Sequence, residues 1–302
     1  RGAGPGPHPG QVDERHHHHQ RQVNPRFAAL MVVLTACSTG GGPAGVTPLS
    51  AGRGHGRSMA PVRIGPAPPV SYVFYRLDSI TTRLPDGTET PQVIGRTLLI
   101  TVSITPPPPG TTGDPHIAIH LDSVAVDPDA PEIARAPFVG MAGTTWNGTV
   151  SAAGTISDLT PDHRSAGAEA ATPDLERWLP ILPAAGVEVG DTWTDTLTSS
   201  YPFSNLDLQV AETLIAGWTA TAGSAAATLD LESAGTLTRS GSSSVVTLLG
   251  SGTRSARYTL DTTGILMAAD GADSMLMKLS VNAVGQSVVV GQVGHFSVTR
   301  RP

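Results

Sequence analysis

The sequence has few aromatic residues, few charges and a single cysteine, and each shortage excludes a class of site or partner. Aromatic residues make up 4% of the 302 residues and charged residues 15%, against about 25% charged in an average globular chain. The lone Cys37 excludes an internal disulfide and zinc sites built on paired cysteines. Lys278 is the only lysine beside 18 arginines, and no basic stripe is present. We therefore expect no nucleic-acid partner.

Residues 21–37 form a short segment in which basic charge, an apolar run and the cysteine follow one another. Arg21 and Arg26 precede the apolar run FAALMVVL at 27–34, and small residues lead from it to Cys37. A basic region, a short apolar region and a small-residue cleavage site are typical of a secretory signal. The apolar run is about half of the ~20 residues that a membrane span requires, so we expect a processed signal and not a transmembrane helix.

The last four residues of this segment, Leu34-Thr35-Ala36-Cys37, resemble the lipobox of bacterial lipoproteins. The resemblance implies diacylation of the Cys37 thiol, cleavage before it and acylation of the new amino terminus. Several acyl chains anchor a protein firmly, because each buried CH₂ contributes about 0.8 kcal/mol. In this family an Asp after the cysteine retains the protein at the inner membrane, so Ser38 favours the periplasmic face of the outer membrane. The alternative is an ordinary buried cysteine in a strand.

The composition divides the chain into three parts. Residues 1–36 comprise an N-terminal extension, with a histidine tract at 16–19, and the signal peptide. Residues 37–69 are the lipidated cysteine and a Gly- and Pro-rich stretch, predicted to be a flexible linker because it cannot bury enough apolar surface to offset its ordering entropy. Residues 70–302 hold nearly all of the periodic apolar pattern and are predicted to form one β-rich domain.

From Val70 onward, apolar and polar residues alternate in short runs that turn residues separate. About ten to twelve such runs predict a mainly β fold, a large curved antiparallel sheet resembling a half-barrel or a sandwich. Period-two alternation places one face of the sheet on a core and the other in water. The turn sequences at 261–264 and at Asp270-Gly271 predict a three-strand meander between Tyr258 and Val281.

One stretch near the middle of the chain is predicted to be a short helix. Thr172 is a candidate N-cap and Pro173 fits a first turn, while the apolar residues at 175, 178, 179 and 182 repeat with helical spacing. Pro180 and Pro183 limit the helix to about two or three turns. A helix of that length is unstable alone, so we expect its apolar stripe to pack against a face of the sheet.

Two runs in the domain resemble a family of uncharacterised bacterial lipoproteins. The first run is LPAAGVEVGDTW at 182–193, which is similar to an LP…VxVGDxW signature, and the second is YTLDTTGIL at 258–266. The family looks related to curved-sheet lipoprotein carriers, in which a bent antiparallel sheet wraps a short helix around an apolar cavity. The resemblance implies that fold for residues 70–302, and it brings no catalytic residues with it.

Large apolar side chains near the first run and in the second half of the chain are candidate contacts for a ligand. These candidates are Trp178, Leu179, Trp193, Met267, Met275 and Met277. Tryptophan suits the mouth of a pocket, and methionine adapts to an irregular apolar one. The alternative is that all six only fill the core, because the chain has few other aromatic side chains with which to do so.

No G-x-S-x-G, HExxH, P-loop or EF-hand motif occurs in the sequence, so we expect a protein that is not an enzyme and that holds no cofactor and no metal. His116 and His120 would stand about 13 Å apart on one strand, which is too far for one ion. Serine is abundant, so a dispersed Ser/His/Asp triad remains an alternative, with a histidine drawn from His116, His120, His163 and His295.

Together these features predict a lipid-anchored envelope lipoprotein. Its β domain is expected to bind an apolar ligand or an envelope protein in the concave face of the sheet, and its membrane contact is expected to be the lipid on Cys37. Two alternatives stay open: a structural or interaction lipoprotein without a ligand cavity, and a secreted hydrolase.

Overall fold

Antiparallel strands make up most of the domain in a computed structural model, which describes residues 60–203, 208–225, 227–282 and 285–302. The strands are β1 (Ala67–Arg83), β2 (Glu89–Thr105), β3 (His116–Val126), β4 (Thr145–Val150), β5 (Ile156–Pro161), β6 (Thr192–Phe203), β7 (Leu208–Ala222), β8 (Thr228–Ser242), β9 (Val246–Asp261), β10 (Leu266–Val281) and β11 (Gln286–Arg300). The helices are α1 (Glu132–Arg135), a 3₁₀ turn (Ala136–Phe138) and α2 (Ala166–Glu176). The predicted mainly β fold is confirmed.

The eleven strands form one open sheet in the order β5-β4-β3-β2-β1-β11-β10-β9-β8-β7-β6. Apart from β5 and β6, strands that are consecutive in sequence pair as antiparallel neighbours, and β1 pairs with β11 to join the two halves of the chain. The edges are β5 and β6, which are consecutive in sequence yet lie at opposite ends of the sheet. The chain between them, residues 162–191, carries α2 and is called here the bridging segment.

The sheet curves around the bridging segment. Phe74 of β1 and Glu212 of β7 line the same small cavity, although four strands separate them in the sheet. The alternation in β1 shows which face is concave, because Tyr72 and Phe74 are 3% and 5% exposed while Tyr75 is 39% exposed. The concave face therefore meets the core, as the period-two pattern predicts.

The predicted helix exists, but its predicted bounds are wrong. Helix α2 begins after Ser165, whose hydroxyl accepts a hydrogen bond from the Ala168 amide at 3.1 Å, so Ser165 and not Thr172 is the N-cap. Pro173 lies inside the helix and not in its first turn. The run Ala166–Glu176 is rich in alanine, the best helix former, and this local preference extends the helix toward its N-terminus.

The apolar stripe assigned to the helix lies mostly beyond its C-terminus. Trp178, Leu179 and Leu182 follow the last helical residue Glu176, and all three are buried in the main core. They reach the concave face from an irregular stretch that Pro180 and Pro183 keep out of helical geometry. Burial and not helix periodicity accounts for their spacing.

The predicted turn at Asp270-Gly271 is wrong, because β10 runs without a break from Leu266 to Val281. Gly271 lies inside this strand opposite Phe296 of β11. A Cβ at position 271 would stand 2.4 Å from the Phe296 ring, so the glycine gives room to a ring and does not make a bend. The predicted three-strand meander is therefore a two-strand hairpin, β9 and β10, around the turn at 261–264.

Candidate functional site

The concave face has an ionic belt between two apolar clusters. The belt consists of Arg76, Asp78, Arg96, Asp174, Arg177, Glu212, Arg239 and Asp273. On one side lies the main core, with Trp146, Trp178 and Trp193, and on the other lies a smaller cluster that includes Met275 and Met277. The alternating pattern did not predict the belt, because a charged residue in a strand is normally assigned to the solvent-facing side.

Arginines at close range lower the pKa of two carboxyl groups of the belt, Asp78 and Glu212. Arg76 lies 2.9 Å from Asp78 and 3.2 Å from Asp273, and Gln292 donates to Asp78 at 3.3 Å. Burial alone would raise the pKa of Asp78, but Arg76 and Arg96 outweigh it and hold that pKa below its ordinary value. Glu212 behaves in the same way. Burial alone would raise its pKa, but its partners Arg239 and Arg177 outweigh burial and hold that pKa below its ordinary value.

The belt also fastens the bridging segment to both halves of the sheet. Asp174 of α2 accepts a hydrogen bond from Arg96 of β2 at 2.7 Å. Three residues later, Arg177 pairs with Glu212 of β7 and donates to Ser199 of β6. One turn of chain is thus tied to strands from both halves of the open sheet, which holds the segment across the concave face.

A cleft lies between the bridging segment and strands β6 to β9. Its volume is about 40 Å³, which is room for about three water-sized groups. Its lining residues are Thr155, Ile156, Glu176, Arg177, Leu179, Ile181, Asp195, Leu197, Leu214, Ala216, Trp218, Ser233, Arg254 and Tyr258. Apolar side chains form most of its wall, and a few polar groups converge on it, as in small-molecule sites.

Two buried polar atoms at this cleft have no hydrogen-bond partner among the described residues. They are Oδ1 of Asp195, an acceptor, and Nε1 of Trp218, a donor. Asp195 is 6% exposed and Trp218 is 8% exposed. Burying such groups unpaired costs about 1–3 kcal/mol each, so both atoms have a free-energy gain available from a partner that enters the cleft.

The carboxyl groups of the cleft differ from those of the ionic belt. Burial raises the pKa of Glu176 to about 7, against the opposing effect of Arg177 and with a smaller contribution from Asp158. Burial also raises the pKa of Asp195, against a backbone hydrogen bond from Thr196. Neither carboxyl has an arginine partner close enough to offset its desolvation, which is the physical difference from Asp78 and Glu212.

Two aromatic rings, Trp218 and Tyr258, line the cleft, and a third ring, Trp193, lies behind them. Trp193 of β6 stacks on Trp218 of β7 with ring centroids 5.6 Å apart and planes 3° from parallel. Trp218 in turn lies 5.7 Å from Tyr258 of β9. The Trp193 indole donates to the Ile181 carbonyl at 3.1 Å. The ring of Trp193, whose N–H is paired, therefore packs against the ring of Trp218, whose N–H has no partner among the described residues.

The structure divides the ligand contacts predicted from sequence. Leu179 lines the cleft and Trp193 supports its wall. Trp178 packs edge-on against Tyr72 in the main core, with ring centroids 5.0 Å apart, and its own Nε1 has no partner among the described residues. Cys37 lies outside the described residues.

The three methionines do not form one pocket with these residues. Met275 and Met277 belong to the smaller apolar cluster. Met267 is half-buried, and its sulfur contacts Arg300 at 3.3 Å. The three methionines are close in sequence and were therefore predicted to share one pocket. All three lie on β10, but Met267 is near the start of this long strand and away from Met275 and Met277.

Sequence reasoning missed Asp195, Trp218 and Glu176 as site residues. A signal for Asp195 was present, because it stands two residues after Trp193 and so shares its inward face. An acidic residue at an inward position is unusual and marks a candidate site. Trp218 carried no such signal, since its pairing with Trp193 depends on the register of β6 and β7.

Both runs that resemble the lipoprotein family contact the first described residues of the chain. Val62 pairs with Val187 through two backbone hydrogen bonds, at 2.9 and 3.0 Å, and Arg63 donates to the Ala185 carbonyl at 2.9 Å. Gly264 has a φ of +84°, and a Cβ there would lie 1.9 Å from the Arg63 carbonyl oxygen. Residues 61–64, called here the entry segment, are therefore docked by both runs.

The predicted linker 37–69 thus extends too far. Val62 and Ile64 are 3% and 4% exposed and belong to the main core, and β1 begins at Ala67. Two apolar residues in a stretch of Gly, Pro and Ser carry too weak a periodic signal to be read as a strand.

His116 and His120 lie on β3, as the alternation predicts, and the structure places them in ordinary strand surroundings. His120 Nδ1 lies 3.0 Å from the Thr145 hydroxyl, and Nε2 lies 3.8 Å from Asp122. Within the described ranges no group of three or more His, Cys, Asp or Glu residues is arranged to hold a metal ion.

Comparison with known proteins gives no family. No family model matches the chain, and no curated protein matches it. Among solved structures, one described as "Asymmetric conductivity of engineered proteins" aligns over 76% of this chain and all of its own, with 10% identity and a TM-score of 0.23. A mutant of the Rh. blastica porin aligns over 77% of this chain and all of its own, with 12% identity and a TM-score of 0.23. At these values neither likeness supports an inference.

None of the helices in the described part of the chain has the length and apolar character needed to cross a membrane.

Proposed function

We propose that this chain is a non-enzymatic envelope lipoprotein, anchored by a lipid on Cys37, whose β domain binds an apolar ligand in the concave face of its sheet. The observation that carries the binding proposal is the cleft beside the bridging segment, where apolar walls surround two unpaired buried polar atoms. An interior that served packing alone gains nothing from leaving such atoms unpaired.

The anchor is supported by the LTAC sequence and by the way the chain enters the domain. The entry segment is docked against the two runs at 182–193 and 258–266, so the point at which the chain leaves the domain toward Cys37 is fixed. Residues 38–59 then separate the domain from the lipid. Such a stretch spans at most about 75 Å when fully extended.

Metabolic labelling tests the anchor. Cells that express the full chain are given radiolabelled palmitate, and membrane and soluble fractions are compared with those of a Cys37→Ser variant. We expect label on the unaltered chain in the membrane fraction and none on the variant. An unaltered chain that takes up no label and remains soluble contradicts the anchor.

Native mass spectrometry of the full Cys37→Ser chain tests the ligand. This variant lacks its own acyl chains, so any additional mass belongs to a molecule held by the domain. We expect an apolar molecule that solvent extraction releases and that can be identified from the extract. A chain that carries no additional mass after isolation from its native envelope contradicts ligand binding.

A second candidate is a structural or interaction lipoprotein with a filled interior. The observation that favours it is the small size of the cleft, about 40 Å³, against several hundred Å³ for typical ligand pockets. The same mass measurement separates the two candidates, because this one predicts the mass of the polypeptide alone.

A further inference from the structure

We propose that the cleft is a site for a small apolar alcohol, whose hydroxyl group donates a hydrogen bond to Asp195 and accepts one from the indole of Trp218. This inference rests on the proposed function, since it names the ligand class for the concave face. The apolar body of the alcohol then lies against the aliphatic wall that Ile181, Leu197 and Leu214 provide.

The register of β6 and β7 places the two polar side chains on the same face of the sheet as diagonal neighbours. Asp195 lies opposite Ala216, and Trp193 lies opposite Trp218, so Asp195 and Trp218 are diagonal neighbours on the concave face. Diagonal neighbours have Cα atoms about 7–8 Å apart, and the side chains of Asp195 and Trp218 line the same cleft. A single atom that both donates and accepts can therefore stand between them.

The chemistry of the two atoms selects a hydroxyl. Oδ1 of Asp195 needs a donor and Nε1 of Trp218 needs an acceptor, and a hydroxyl is both at once. An ether or a ketone accepts only and leaves Asp195 unpaired. A protonated amine donates only and leaves Trp218 unpaired.

Charge in the cleft disfavours ionic ligands of either sign. A carboxylate or phosphate would be buried near the carboxyl groups of Asp195 and Glu176, and an ammonium would be buried near the guanidinium groups of Arg177 and Arg254. Arg177 is already paired with Glu212, and Arg254 lies over the Phe296 ring at 5.4 Å. A neutral ligand enters this mixed environment without desolvating a net charge.

The size of the cleft limits the ligand. A volume of about 40 Å³ accepts the hydroxyl group and the first carbons of an alcohol, and the rest of a short apolar chain extends toward the open side of the cleft. We therefore choose 1-hexanol as the probe. Di-n-propyl ether has the same atomic composition but no hydroxyl hydrogen, and hexylamine and hexanoate are the cationic and anionic counterparts.

Indole N–H signals measure binding at this site directly. The chain has four tryptophans, so uniformly ¹⁵N-labelled Cys37→Ser protein gives four indole signals that Trp→Phe variants assign. On titration with 1-hexanol we expect the Trp218 signal to move downfield, because its N–H gains an acceptor. The Trp146 and Trp193 signals should stay in place, since those N–H groups already donate to Thr172 and to Ile181.

Matched variants separate recognition from packing. Trp218→Phe keeps an aromatic ring but removes the donor, and we expect 1-hexanol to bind it about fivefold more weakly, the effect of one hydrogen bond. Asp195→Ala should weaken binding by a similar factor, with the Trp146 signal as evidence that the fold is retained. Trp146→Phe is the control, because it removes an indole donor in the main core that does not line the cleft, and its affinity should equal that of the parent.

Each other result overturns the inference. Equal binding of 1-hexanol and di-n-propyl ether would show that the hydroxyl hydrogen is not recognised, and a response centred on Trp178 would place the ligand elsewhere. No response of Trp218 to 1-hexanol would mean that ordered water alone occupies the cleft. If native mass spectrometry then still finds a bound apolar molecule, the proposed function survives and only this site assignment fails. If it finds none, both fail.

Discussion

Glu212 and Arg239 lie directly opposite each other on β7 and β8, with both side chains on the concave face and both less than 10% exposed. The next strand pair holds the same two residue types in the same relation, Glu232 of β8 opposite Arg257 of β9, but on the convex face, where both are exposed. The same Glu–Arg pair thus occurs once in a buried and once in an exposed environment of one sheet. The contribution of the pair to the free energy of unfolding should differ between the two sites.

Replacing Glu212 by Gln should lower the free energy of unfolding by about 3–5 kcal/mol, because it leaves Arg177 and Arg239 buried without their carboxylate. Urea denaturation followed by circular dichroism measures this loss. Glu232→Gln is the matched control, and it should cost less than about 1 kcal/mol. Equal costs for the two variants would contradict the assigned role of the ionic belt.

Replacing Glu176 by Gln should stabilise the protein above neutral pH. The pKa of Glu176 is raised from 4.5 to about 7, so the unfolded chain loses this proton at lower pH than the folded chain does. Stability therefore falls as pH rises from about 4.5 to about 7 and stays lowered above that range. At pH 8 the variant should be more stable by about 2 kcal/mol, and at pH 4 it should equal the parent.

Denaturation curves of the Glu176→Gln variant and its parent at several pH values check this. A constant difference between the two proteins across the range would mean that the substitution acts through packing and not through the titration of Glu176. Asp195, whose pKa is also raised by burial, adds a dependence of the same sign that both proteins share.

Replacing Gly264 by Ala should detach the entry segment. Gly264 has a positive φ, and a Cβ there would meet the Arg63 carbonyl at 1.9 Å. Gly87→Ala is the control, because Gly87 has nearly the same φ of +86° and no atom within 4 Å of its would-be Cβ. The control should lose about 1–2 kcal/mol from backbone strain alone, and Gly264→Ala should lose clearly more.

Limited trypsin digestion gives a second measure of the same variant. Cleavage after Arg63 should become faster in Gly264→Ala and remain slow in Gly87→Ala, because only the first substitution pushes the entry segment away from the turn at 261–264. Equal cleavage rates would show that the glycine serves the turn and not the docking.

Replacing Asp174 by Asn should loosen the bridging segment. The substitution removes the charge that Arg96 of β2 contacts at 2.7 Å, which is one of the ionic ties between the bridging segment and the sheet. Hydrogen exchange of the amides in α2 should become faster, with a loss of stability of about 2 kcal/mol. Glu169→Gln, at an exposed position of the same helix, should leave the exchange rates in α2 nearly unchanged.

The strands were predictable because each is encoded locally. Alternation in runs such as Val70 to Leu77 identifies a strand and its buried face without any knowledge of partners. The turn at 261–264 was also encoded locally, since the Asp261 carboxylate accepts the Thr263 and Ile265 amides at 2.8 and 3.0 Å. The false turn at Asp270-Gly271 shows the limit, because its glycine serves a ring on a neighbouring strand.

The candidate site was only partly predictable, for a related reason. Trp193 and Leu179 were identified as large apolar residues near a distinctive run, and the cleft contains or adjoins both. Asp195 and Trp218 acquire their significance from each other, through a strand register that places an unpaired acceptor beside an unpaired donor. Asp195 carries a local signal as an acidic residue on the inward face, but its unpaired partner Trp218 carries none.

The sequence by itself determined the class of the fold and the concave and convex residues of most strands, because both depend on the periodicity of neighbouring residues, and it indicated one helix near the middle, where an alanine-rich run favours helix. Only the tertiary structure decided that β1 and β11 join in one sheet, that the bridging segment crosses its concave face, and that a charged belt and an unpaired donor and acceptor lie inside. Those features depend on contacts between residues far apart in the chain, such as Arg96 with Asp174 and Arg177 with Glu212, for which local periodicity carries no signal.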